Sequence, residues 1–263
     1  MLSRVACALV VAGTAVSAQA GAQRALPRPA SPPAAHEASV PFAVGETLTY
    51  DVSFSEVLSA GTASLNVQDK RPSQGSTAYT IVAEGKPLPL LARFYQLYYR
   101  MDTLVDAFSV LSQRGTLHAE EGKDRRTSIT QFDRPGKRVL FEEQSDTDTK
   151  LTYAVPPQTQ DGLSTLYWLR ARTFKPGDRI VVPVADSGTL YTVDIRVGPP
   201  EPVKTRLGEM MAWPLTGTIK DADGQSEWKN IGAWISVDGR HLPVKLQAEL
   251  PVGAFVLLLR EVK

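Results

Sequence analysis

The chain has 263 residues, with 29 Lys and Arg against 28 Asp and Glu, three His and one Cys. Such near-neutrality argues against electrostatic capture of nucleic acid or an anionic membrane surface. It leaves a small neutral or amphiphilic ligand, a partner protein, or no ligand at all.

The first residues set the expected compartment. Arg4 supplies a positive start, Val5 to Val16 form a short apolar run, and Ala18-Gln19-Ala20 fits a small-x-small cleavage site. This pattern predicts a secretory signal peptide over residues 1–20, cut after Ala20. The apolar run is shorter than the roughly 20 residues a membrane span needs, and no later segment is long and apolar enough to cross. Cys7 sits early in the run rather than at its end, so a lipoprotein is not expected. Cleavage would remove the only thiol, leaving no disulfide, no cysteine nucleophile and no thiolate metal site. It would also remove Arg4, balancing the charges at 28 of each sign.

Residues 21–41, "GAQRALPRPASPPAAHEASVP", are rich in Pro and Ala and poor in bulky apolar side chains, which predicts a flexible tether. From Phe42 to the C-terminus a single β-rich domain is expected. "TLTYDVSFS" alternates Leu48, Tyr50, Val52 and Phe54 with polar residues, the period-two mark of a half-buried strand. "AGTASLNVQD" and "TAYTIVAEG" continue the pattern. Pro87 and Pro89 then interrupt it, before strands over residues 94–105 and 110–120. "RRTSITQFD", "KRVLFEEQ" and "KLTYAV" follow, with "EGKDRR" read as a solvated connection.

"DGLSTLYWLR", Asp161 to Arg170, breaks the strand pattern and predicts the one helix. Asp161 can cap its first turn, where a negative charge also suits the helix dipole. Leu163, Leu166, Tyr167, Arg170 and Ala171 share one stripe, while Trp168 and Leu169 lie on the other side. A helix apolar over so wide an arc is covered on more than one side. The structural reading places it against the concave face of a strongly curved sheet. The functional reading makes it a gate or plug whose Leu163, Tyr167, Trp168 and Arg170 contact a ligand. For Arg170 there are two readings: the stem packs while the head reaches the rim, or a charged pair lies inside the barrel mouth.

Beyond the helix come "RIVVPVAD" and "TLYTVDIRV", joined by a tight turn at Ser187-Gly188, then four more segments. Asp238-Gly239 is read as a two-residue hairpin turn. About 12–14 strands with short connections predict a mainly β fold, one antiparallel spiral or half-barrel sheet around a central helix.

No chemistry-bearing motif emerges. There is no HExxH, no spaced His pair, no GxSxG elbow, no phosphate loop and no dinucleotide fingerprint, so no metal, cofactor or catalytic residue is expected. "DTDTK" at Asp146 lacks the glycine and distal Glu of a calcium loop.

"GETLTYDVSF", "SAGTASLNV", "DGLSTLYWLR", "KPGDRIVVPV", "EPVKTRLGE" and "AWISVDGRHLPVKLQAEL", in this order, resemble a family of exported bacterial proteins of unknown function, DUF3108. The resemblance runs from about Phe42 to the C-terminus and carries no assigned catalytic residue. It implies a periplasmic location and a curved antiparallel sheet around a helix. Three functions fit: a non-enzymatic envelope protein holding an apolar or amphiphilic molecule, a scaffold for other envelope proteins, or an envelope-acting enzyme with interior acids near Arg170.

Overall fold

The computed structural model describes residues 36–54, 58–89, 97–222, 227–250 and 253–263. The expected signal peptide, Cys7 and most of the tether lie outside them, as do residues 94–96 of one expected strand. Eight strands precede the helix: β1 (Thr47–Phe54), β2 (Leu58–Ser73), β3 (Ser76–Pro87), β4 (Leu97–Asp106), β5 (Ser112–Glu121), β6 (Asp124–Asp133), β7 (Arg138–Gln144) and β8 (Thr149–Ala154). The helix, α1 (Gly162–Arg170), is followed by β9 (Arg179–Asp186), β10 (Thr189–Val197), β11 (Glu201–Thr205), β12 (Gly208–Asp221), β13 (Glu227–Ser236), β14 (Pro243–Leu250) and β15 (Gly253–Val262).

Among the described residues, fifteen strands join one antiparallel sheet in the order β8-β7-β6-β5-β4-β3-β2-β1-β15-β14-β13-β12-β10-β9, with β11 alongside β12. The path is open, ending on β8 and β9. At its centre the first and last strands pair, Tyr50 opposite Leu259. Thr47 and Lys263 exchange backbone hydrogen bonds of 2.9 Å in both directions.

Alternation makes the strands. In β10, Val193, Ile195 and Val197 are buried while Thr192 and Arg196 are exposed. In β7, Val139 and Phe141 are buried between exposed Arg138, Leu140 and Glu142. Tight turns set the register. Ser187 and Gly188 have φ of 48° and 77°, the left-handed pair that a two-residue hairpin needs, and they join Asp186 to Thr189.

Three expectations are corrected. The strand total exceeds 12–14 because "EPVKTRLGEMMAWPLTGTIK" is a hairpin, β11 and β12, turning at Gly208 with φ 105°. "EGKDRR" keeps its reading as a solvated connection, exposed over residues 123–126: β5 ends at Glu121 and pairs with Asp124 at the start of β6, across a turn where Gly122 has φ 64°. Asp238-Gly239 is not a two-residue turn, since β13 ends at Ser236 and β14 begins at Pro243. The loop between is shaped by the Asp238 carboxylate, which accepts from Ser236 Oγ at 2.6 Å and from the Arg240 amide at 3.2 Å. The domain also starts before Phe42. The Ala38 amide donates to Ala107 O at 2.9 Å, and Ala38 and Val40 pack on the core.

Two main clusters fill the core. One gathers Leu48, Tyr50, Val67, Ile81, Val105 and Leu259 with Leu163 and Tyr167 of α1. The other gathers Val182, Val184, Val193, Ile195, Leu215 and Ile235 with Leu169 of α1. Leu166 and Trp168 pack against both. The helix therefore buries side chains in two directions. Each large apolar side chain so buried stabilises the fold by about 1.5–3 kcal/mol. A smaller cluster sets Phe132, Val139 and Val155 against Ala185, bringing β6 to β8 into contact with β9. Beside it, the Gln160 amide donates to Pro183 O at 2.9 Å and Gln160 O accepts from the Ala185 amide at 2.8 Å.

Candidate functional site

The two ends of α1 are built differently. At the N-terminus, Asp161 Oδ1 accepts from the Ser164 amide at 2.7 Å, and the Asp161 amide donates to Ser164 Oγ at 3.0 Å. This reciprocal box satisfies donors that the helix leaves unpaired. Asp161 Oδ2 accepts from the hydroxyls of Thr103, at 2.6 Å, and Ser112. Gln160 Oε1 accepts from the Ser112 amide at 2.9 Å, and its Nε2 donates to Val110 O at 3.1 Å. Arg134 donates to Ser112 O and, at 3.1 Å, to Pro157 O. Burial lowers its pKa to about 10, partly offset by Asp161 and Asp106. This polar knot pins the start of the helix to β4 and β5. Gly115 leaves room for it: a Cβ there would stand 3.3 Å from that of Asp161.

At the C-terminus, Arg170 is 0% exposed. Its guanidinium grips Glu46 with two bonds of 2.6 and 2.8 Å. Nε donates to His241 O at 3.0 Å, and a longer contact of 3.4 Å reaches Arg240 O. In return His241 Nδ1 donates to Arg170 O at 2.7 Å. The guanidinium also stands 5.0 Å from the Tyr167 ring and 5.4 Å from that of Phe42. Burial opposes its charge, but hydrogen bonding to Glu46 and the carboxylate's field overcome that and raise its pKa. The rim reading of Arg170 is thus overturned. Glu46 and the Arg240–His241 carbonyls receive the head inside the protein.

Beside the N-terminal half of α1 lies a cleft of about 390 Å³. Val184, Tyr191, Val193, Ile219, Ile231 and Ala248 supply its largely apolar wall, Gly162 and Thr165 of the helix one side, and Asp186 and Glu249 its charge. Its volume sits at the low end of the range for small-molecule sites, about 300–1,000 Å³. Asp186 also lines a second, much smaller void with Met101, Leu117, Ser128, Thr130, Asp161 and Leu163. Burial raises the Asp186 pKa, and the nearby charge of Asp161 raises it further, against the Ser187 amide and hydroxyl and Arg126, which lower it. Burial likewise pushes the Tyr153 phenol up to about 12, with Asp186 and Tyr191 contributing.

Of the four side chains expected to meet a ligand, Leu163 lines the small void. Tyr167 and Arg170 belong to the C-terminal cluster. Trp168 is half-buried, with the Arg172 guanidinium 4.2 Å from its ring. None of these last three lines the cleft. The side chains that do line it were readable only as strand residues. One signal was available: Ile180, Val182 and Val184 set the inward parity of β9, and Asp186 falls on the same parity. An acid at the end of an inward apolar row marks either a functional group or a cost.

The chain belongs to the family described as "Protein of unknown function (DUF3108)", whose profile matches residues 49–260. Among solved structures it is similar to a beta-barrel-like protein of the DUF1849 domain from Brucella abortus, with a TM-score of 0.51 and 11% identity over 84% of this chain and 97% of that one. That likeness supports the fold alone. A provisionally named lipoprotein from Parabacteroides distasonis matches with a TM-score of 0.38 and 9% identity, covering 87% of this chain and 100% of that one. No curated protein of known function matches the chain. Among the described residues, no helix is long and apolar enough to cross a membrane.

Proposed function

We propose that this is an exported bacterial envelope protein that holds an apolar or amphiphilic small molecule without transforming it. In this reading the sheet curls around α1 as a half-barrel, and the molecule lies in the cleft between the start of the helix and β9, β10, β12 and β13. The cleft carries the reading, because Val184, Val193, Ile219 and Ile231 give it a concave, largely apolar wall of the size that small-molecule sites have. Contacts of α1 with two core clusters, and of Ala185 with Phe132 and Val139 across the open path, support the wrapped arrangement. The leader and Pro/Ala-rich stretch of the sequence support export. The Asp161 carboxylate that caps the helix is committed to the Ser164 amide and to the hydroxyls of Thr103 and Ser112, so it serves the fold rather than the cleft.

The test is detergent-free purification followed by mass spectrometry of the organic extract, with titration of the neutral fluorescent probe N-phenyl-1-naphthylamine. The wild type should yield a co-purifying amphiphile or bind the probe with enhanced emission. Val193→Trp, which fills the cleft, should lose both. An empty extract together with no probe binding refutes the reading.

A further inference from the structure

Resting on that reading and its wrapped arrangement, we propose that the boundary between β8 and β9 is a lateral gate to the cleft. Its latch, when shut, is a hydrogen bond from the Tyr153 hydroxyl to the Asp186 carboxylate. The topology permits closure. With β11 aside, fourteen strands lie on the path from β8 to β9, each antiparallel to the next. An even number of alternating strands leaves the two ends running in opposite directions, the arrangement that one more antiparallel ladder needs.

Among the described residues no ladder joins β8 to β9. Gln160, in the connection from β8 to α1, bonds to the β9 edge at Pro183 and Ala185. Toward the β9–β10 turn the two sides meet through packing. Ala185 lies with Phe132, Val139 and Val155. Gly188 lies against β7 and β8: a Cβ there would stand 3.1 Å from the Phe141 ring and 3.2 Å from Leu151 Cδ1. β8 itself pairs with β7 alone, and its Lys150, Leu151 and Thr152 are exposed. Every other boundary on the path is a backbone ladder, so the sheet parts most cheaply here.

The boundary also stands beside the cleft, whose wall includes Val184 and Asp186 of β9. On β8, Tyr153 sits opposite buried Val139, so it faces the same interior. Its hydroxyl is buried and meets no partner at hydrogen-bonding geometry, yet it lies within electrostatic reach of Asp186. The Asp186 carboxylate accepts from the Ser187 amide and hydroxyl, and a carboxylate has room for a further donor. A buried hydroxyl without an acceptor is costly. A small approach of β8 toward β9 removes that cost and shuts the side of the cleft. Opening is a swing of the β7–β8 hairpin away from β9, a motion of the kind that admits ligands elsewhere.

The experiment uses the chain cut after Ala20, which keeps no native cysteine, with Leu151→Cys and Ser187→Cys added. A short bis-methanethiosulfonate joins the two thiols across the boundary, and reductant releases them. Stopped-flow binding of N-phenyl-1-naphthylamine should slow by about tenfold or more in the joined protein and recover on reduction. Tyr153→Phe should speed both association and dissociation by roughly fivefold, the weight of one hydrogen bond, and leave Kd nearly unchanged. Spin labels on the same two cysteines read the boundary with no ligand present. Dipolar electron paramagnetic resonance should give two separations, the longer gaining population in Tyr153→Phe and in Asp186→Ala, and the two substitutions together adding nothing beyond either. Circular dichroism melts would confirm that the variants fold. A binding rate untouched by the crosslink overturns the gate while leaving the apolar reading intact. A single separation that neither substitution moves overturns both gate and latch. If the unjoined protein binds no probe, the apolar reading falls, and the spin-label separations alone decide whether the boundary opens.

Discussion

The two ends of α1 solve opposite problems. At its C-terminus a charge is fully buried and fully answered: Arg170 has Glu46 on two bonds, backbone carbonyls on others, and aromatic rings around it. At its N-terminus the cap is equally complete, yet next to it stand the apolar wall of the cleft and Asp186, whose charge burial disfavours. The lesson is that one element can anchor a fold with one turn and leave room for function with another. Stability should therefore be concentrated at the Arg170 end, and ligand sensitivity at the Asp161 end.

The sharpest way to break this contrast is Glu46→Ala. It strands a buried guanidinium, and the expected loss is about 3–5 kcal/mol, or a fall in Tm of roughly 10 °C by calorimetry. Glu46→Leu combined with Arg170→Met, which removes both charges, should recover most of that loss. A loss below about 1 kcal/mol in the single variant would show that the C-terminal end is no anchor. Next in size is Asp161→Ala, which removes the cap and the acceptor for Thr103 and Ser112; about 2 kcal/mol is expected from denaturant melts.

Asp186→Asn should act in the other direction. Because the folded-state pKa of Asp186 is raised, its ionisation opposes folding. The penalty is absent below the unfolded pKa, grows as pH rises through the interval, and is complete above the folded pKa. The variant should therefore melt higher than wild type at neutral pH, and the difference should vanish in acid. A variant that melts lower at neutral pH would mean that the carboxylate is stabilised where it stands. The smallest effect belongs to Tyr167→Phe. The Tyr167 hydroxyl is buried with no partner at hydrogen-bonding geometry, so its removal should change stability by no more than about 0.5 kcal/mol.

Local features of the fold were legible because their causes are local. Period-two alternation marked β1, β7 and β10, the Ser187-Gly188 pair marked its turn, and Asp161 before an apolar run marked the helix start. What was hidden depends on partners far along the chain. Nothing near Arg170 announces Glu46, which lies 124 positions away. The loop at Asp238 departs from a tight hairpin because its Arg240 and His241 carbonyls are recruited by that same arginine. The cleft was hidden for a related reason. Alternation says which side chains face inward, but whether they meet there depends on where the helix stops. Aromatic residues of α1 drew attention as ligand contacts, whereas the space lies beside its small residues, Gly162 and Thr165.

The pairing of β1 with β15 carries a kinetic consequence. Most neighbours in the sheet are also neighbours along the chain, so each half can zip up by short hairpins. The junction of the halves joins Thr47 to Lys263 and Tyr50 to Leu259, the two extremes of the domain. That seam closes only after the last residues have emerged, across the longest loop in the molecule. Refolding of the domain should therefore be slow for its size, limited by this one long-range closure.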